Sequence, residues 1–84
     1  EVNNAAKILA NAAKEAKTLG NPRGESYALG RLGGLYEQTQ QWDAAKNLTQ
    51  QGLIIAQQIR AAEIAYLWQW QTGRLLKVTG EQSR

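Results

Sequence analysis

Trp70 and Arg74 lie four residues apart, one turn of a helix, and a Trp beside a guanidinium is a pair enriched at the centres of binding interfaces. Its chemistry is recognition: apolar ring area and a fixed charge, with no bond made or broken. Groups for catalysis are scarce. The sequence has no His and no Cys, so it lacks the usual proton carrier near neutral pH, a thiol nucleophile, disulfides and thiolate metal sites. The acidic residues Glu1, Glu15, Glu25, Glu37, Asp43, Glu63 and Glu81 are scattered and offer no close pair with general acid–base spacing. The expectation is a protein that is not an enzyme, with no catalytic residues, no metal and no cofactor.

Other patterns resolve the same way. Gly30, Gly33 and Gly34 are not followed by Lys-Ser/Thr, so they do not form a phosphate-cradling loop. Gly30-x-x-x-Gly34 shares its segment with Arg31 and Glu37 and reads as a close contact between soluble helices, not as membrane-helix pairing. Asn47-Leu48-Thr49 matches a glycosylation acceptor but falls in the middle of a helical stripe. Arg23, Arg31, Lys46, Arg60, Arg74 and Lys77, with Trp68 and Trp70, fall on different helix faces and carry no RNA-binding signature, so no nucleic-acid partner is expected. The net charge of +3 is spread along the chain as a solvated surface.

No apolar run reaches the roughly 18 residues that cross a bilayer, and the first residues lack the layout of a secretory signal. No membrane partner is expected, and the expected compartment is the cytoplasm. The chain does not begin with Met and reads as a segment of a longer protein.

Four helices must position these residues. Ala5, Ile8, Leu9, Ala12, Ala13, Ala16 and Leu19 recur at three- and four-residue spacing and predict a helix over about 5–19. Gly20-Asn21-Pro22 then supplies a left-handed terminator, an N-cap and a first-turn proline. The next helix runs over about 22–39 through Tyr27, Leu29, Leu32, Leu35 and Tyr36. Polar residues at 39–41 interrupt the stripe, and Asp43 or Thr39 could cap the third helix, over about 43–59. A fourth runs over about 62–78. The segment Arg60-Ala61-Ala62 has neither Gly nor Pro, and propensity alone would carry one helix through it.

Sliding the sequence by 40 residues aligns Ala5 with Ala45, Ala16 with Ala56, Gly33 with Gly73, Leu35 with Leu75 and Thr39 with Thr79. Ile8 with Leu48 and Leu19 with Ile59 share this register, which lays the break at 20–22 onto 60–62 and predicts a turn there.

With these residues in place, Leu29-x-x-Leu32-Gly33-x-x-Tyr36, followed by Ala45, resembles the tetratricopeptide repeat over residues 26–56. The resemblance implies an all-α, right-handed helical-repeat solenoid in which 1–84 forms one unit of four antiparallel helices, in the order B, A, B, A. Gly33 and Ala45 would let a pair of helices approach closely, with Leu32 and Leu35 facing the shared core. Leu29, Thr49 and Gly52 depart from the family's Trp, aromatic and Ala, and Gly52 in a helix should cost about 0.5–1 kcal/mol against Ala. The 40-residue period is longer than the family's usual 34 and is similar to the longer-helix repeats of kinesin light chains. Phrases at 35–42, 56–59 and 68–71 also look like repeats of bacterial, especially cyanobacterial, proteins that end in a caspase-like CHAT domain.

What the family implies for function is a protein–protein interaction scaffold whose A helices line a concave groove for a protein or peptide. The partner-binding set is then Tyr27, Arg31, Gly34, Glu37, Gln38, Trp70, Arg74 and Lys77, with Gly30, Leu67 and Val78 on the same inner face. Trp70 has a second reading, as packing in the notch left by Gly30 and Gly34. The whole segment has one too, as a spacer or self-association region of a larger signalling or protease protein. Unpaired end helices would expose Ile8, Leu9, Leu75 and Leu76, and the expected state of the isolated segment is a homo-oligomer built through those faces.

Overall fold

Gly20, Gln40 and Arg60 all take a left-handed backbone, with φ of 68°, 62° and 58°, and each stands at the same place in a turn between helices. The computed structural model describes residues 2–80. Its helices are α1 (Val2–Thr18), α2 (Pro22–Gln38), α3 (Trp42–Gln58) and α4 (Ala62–Thr79).

The three turns share one hydrogen-bond pattern. The N–H groups of Asn21, Gln41 and Ala61 donate to the carbonyls of Ala16, Tyr36 and Ala56, five residues back, at 2.8, 2.9 and 2.9 Å. The left-handed residue before each donates three residues back, to Lys17, Glu37 and Gln57. This is the Schellman closure, which satisfies carbonyls that a helix end leaves open. Because that pattern is made by the backbone, Gln40 and Arg60 carry it without a glycine. Gly80, at φ 77°, closes α4.

Side-chain capping differs between the turns. Asn21 Oδ1 accepts from the Gly24 N–H at 3.0 Å, and Pro22 opens α2, as the sequence predicts. Neither Thr39 nor Asp43 caps α3: Gln41 holds the N-cap without a side-chain bond, Thr39 ends α2, and Asp43 sits in the first turn of α3. The backbone closure at Gln41 fixes that start, so no side chain is needed to set it. The first helix starts at Val2, ahead of the expected residue 5, because Asn3 and Asn4 fall on its exposed side and cost the apolar stripe nothing.

Packing centres on α2. Helices α1 and α3 lie antiparallel on it, and α4 runs antiparallel against α3 while touching α2. Glycines set how close the backbones come. A Cβ built on Gly33 would fall 2.6 Å from Thr49 Oγ1 and 3.1 Å from the Ala45 carbonyl oxygen. On Gly52 it would meet the Ser26 carbonyl oxygen at 3.0 Å and the Gly30 nitrogen at 3.2 Å. The glycine at 52 that looked costly in a helix is therefore the point where α3 reaches the α2 backbone.

Ala56, Ala61, Ile64, Ala65 and Trp68 form the buried cluster between α3 and α4, with Leu53 and Ile59 against it. Leu32 is buried, whereas Leu35 and Tyr36 are half-buried. Leu75 is fully buried and Leu76 half-buried, which corrects the expectation of an exposed Leu75-Leu76 face. Leu75 continues the stripe Ile64, Trp68, Gln71 at helical spacing, and that stripe is the side α4 turns inward. Ile8 is exposed as expected, and Leu9 is half-buried. No described helix is long and apolar enough to cross a membrane.

Candidate recognition surface

The seam between α2 and α4 brings together most of the residues marked in the sequence. Its contacts run in register, Arg23 with Glu63, Gly30 with Trp68, Gly34 with Gln71 and Glu37 with Arg74, so the two helices lie parallel. At the N-terminal end the Arg23 guanidinium donates to the Glu63 carboxylate, and both side chains are exposed. That bond, and a backbone N–H at Glu63 itself, hold the Glu63 carboxyl below its ordinary value. At the other end Arg74 grips Glu37 with two bonds, Nε to Oε2 at 3.0 Å and a terminal nitrogen to Oε1 at 2.9 Å.

Polar groups between these ion pairs are all matched. Trp68 Nε1 donates to Ser26 Oγ at 3.2 Å, and Ser26 Oγ donates to the Gly52 carbonyl at 2.7 Å. Gln71 Nε2 donates both to the Gly30 carbonyl, at 2.9 Å, and to Thr49 Oγ1, at 2.7 Å. Among the described residues no buried side-chain nitrogen or oxygen lacks a partner, so the seam is a finished polar contact and not an open set of reactive groups.

Trp68, and not Trp70, fills the notch at Gly30, and the Gln71 side chain lies over Gly34. Trp70 is 60% exposed, which overturns its packing role. Ser26, Thr49, Trp68 and Gln71 were not singled out from the sequence. The signal for Trp68 and Gln71 was present, since both stand on the inward stripe with Ile64 and Leu75. Ser26 and Thr49 gave none, because a buried hydroxyl is visible only once its acceptor is placed.

Arg31, Gly34, Glu37, Gln38 and Arg74 line one hollow of about 330 Å³, together with Ala5 and Leu9 of α1, Leu35 and Gln71. Gly34 leaves space there, since a Cβ would meet Gln71 Oε1 at 3.2 Å and nothing closer. The Arg31 guanidinium carbon stands 5.7 Å from the centroid of Tyr27, whose ring is 6.0 Å from that of Trp68. Arg74 is neutralised by Glu37, whereas among the described residues Arg31 meets no carboxylate. The hollow thus combines one uncompensated positive charge, amide groups and an apolar wall.

Tyr27 lines a second, shallower hollow of about 550 Å³ with Asn21, Arg23, Gly24, Glu63, Ile64 and Leu67. Trp70 and Lys77 line neither hollow and are exposed on α4. Glu1 and Glu81 lie outside the described residues. Among the described residues no three His, Cys, Asp or Glu side chains gather where they could hold a metal. No protein-family model matches the chain, and no curated protein or solved structure aligns with it.

Proposed function

We propose that the chain is a tetratricopeptide-like scaffold, a piece of a right-handed solenoid, that binds a peptide or protein segment in the hollow over α2. The observation that carries this reading is the convergence of Arg31, Gly34, Glu37, Gln38 and Arg74 on one hollow, floored by a glycine. A peptide segment bearing a carboxylate and a small apolar side chain matches the chemistry, with Arg31 facing the carboxylate and Ala5, Leu9 and Leu35 the apolar group. Recurrence of the left-handed turn residue at 20 and 60, and at 40 and 80, supports the 40-residue repeat unit. The chain's part in any larger protein is then recognition, since no His or Cys is available to it.

Peptide selection against the folded chain tests this, followed by titration of selected peptides on wild type, Arg31→Ala and Gly34→Leu. Gly34→Leu plugs the hollow from its floor. Acidic peptides that bind wild type and lose at least about tenfold affinity in both variants, with helicity unchanged, support the proposal. Failure to recover any binder sensitive to Gly34→Leu overturns it in favour of a spacer.

A further inference from the structure

Gly73 has no role inside the chain. A Cβ built there meets nothing within 4 Å, whereas Gly30, Gly33 and Gly52 each have a neighbouring helix pressed against them. A glycine inside a helix is destabilising relative to alanine, so the fold of one chain gives no return for it. Gly73 also belongs to a stripe: Glu63, Tyr66, Trp70, Gly73 and Lys77 follow one another at spacings of three, four, three and four on one side of α4. All five are exposed, Tyr66 at 57%. Such spacing is the seam along which one helix pairs with another.

We propose that this stripe is a homodimer interface, in which α4 packs antiparallel against α4 of a second copy and Trp70 of each sits on Gly73 of the other. The stripe is complementary to itself in shape and in charge. Antiparallel alignment that sets Trp70 opposite the partner's Gly73 also sets Tyr66 opposite the partner's Lys77. That lysine then reaches the partner's Glu63, one turn away on the same side. The knob and hole copy a contact the chain already makes, since Trp68 of α4 lies on Gly30 of α2. A two-fold pairing of this kind is closed, so it stops at two copies. It leaves the hollow at Arg31 and Gly34 open, because neither Trp70 nor Gly73 lines it.

Sedimentation equilibrium of the full chain, with Trp70→Ala, Gly73→Ala and Lys77→Glu, tests the proposal. Wild type should sediment as a monomer–dimer mixture, and each variant should weaken the dimer by at least about tenfold. Gly73→Ala is the discriminating variant, since it should raise the helix stability of the monomer while weakening the dimer. Zero-length carbodiimide coupling then reads the alignment. Glu63 and Lys77 are separated by about 21 Å along their own helix, so a Glu63–Lys77 cross-link must join two copies. Three results would overturn the proposal: a monomer at all concentrations up to about 1 mM, a dimer indifferent to Trp70→Ala and Gly73→Ala, or open-ended growth beyond two copies.

Discussion

The Trp68 indole lies so flat on Gly30 that a methyl group at position 30 would fall 2.1 Å from Cε2 and 2.2 Å from Cζ2. The ring has little freedom to withdraw: it is buried in the α3–α4 cluster, its Nε1 is held by Ser26, and its Cδ1 side faces Gly52. The contact therefore fixes the distance between α2 and α4 and, through Ser26, ties both to α3.

Gly30→Ala is the direct test of that contact. Alanine gains about 1 kcal/mol in helix propensity, but the methyl must displace a buried ring, and overpacking of this kind costs typically about 1–3 kcal/mol or more. The clash wins, since the indole cannot swing to solvent without abandoning its hydrogen bond. A net loss of about 1–2 kcal/mol is expected from urea denaturation. In a Trp68→Leu background the same change should become neutral or stabilising, and a double-mutant cycle gives the coupling directly.

Legibility in the sequence followed the source of each feature. The turn at 20–22 announces itself because Gly20, Asn21 and Pro22 each act through local backbone chemistry. The turn at 60–62 is invisible to propensity and emerges only from the register that lays Leu19 on Ile59 and Ala16 on Ala56. The same register could not say which tryptophan turns inward, because Trp68 and Trp70 are both large and both flanked by glutamine. Rotation of α4 decides between them, and that rotation follows from the Ile64, Trp68, Gln71, Leu75 stripe taken together. The partners of Arg74 and Gln71 depend on how α2 and α4 slide past each other, a quantity that no single helix encodes.

Acid should weaken the fold at one identifiable bond. Glu63 titrates below its ordinary value, first because of the Arg23 hydrogen bond and then because of its own backbone N–H. A carboxyl lowered in the folded state contributes stability that is present above its unfolded pKa and is lost as pH falls through the lowered folded value. The pair is exposed, so solvent screening keeps the effect small. Following the Glu63 carboxyl carbon by NMR, Arg23→Ala should move its midpoint upward toward the ordinary carboxylate value. A midpoint indifferent to Arg23→Ala would remove the bond from the account of the seam.

Gln40 and Arg60 occupy positions that a glycine fills at 20 and 80, and the four residues share a left-handed φ between 58° and 77°. A residue with a Cβ is strained there, by roughly 1 kcal/mol. Glycine removes the strain but gives the unfolded chain more freedom, which offsets part of the gain. Gln40→Gly and Arg60→Gly should each stabilise the fold by about 0.5–1 kcal/mol. The two turns bond to different helix ends, Tyr36 and Glu37 in one case and Ala56 and Gln57 in the other, so the gains should add in the double variant. For a domain of this size 1 kcal/mol corresponds to about 4–8 °C in Tm. Gly20→Gln should move Tm down by a similar amount. Its Cβ would meet nothing within 4 Å, so the loss would report backbone strain and not crowding. A Gly20→Gln variant that melts with wild type would show that the backbone closure at these turns tolerates any residue.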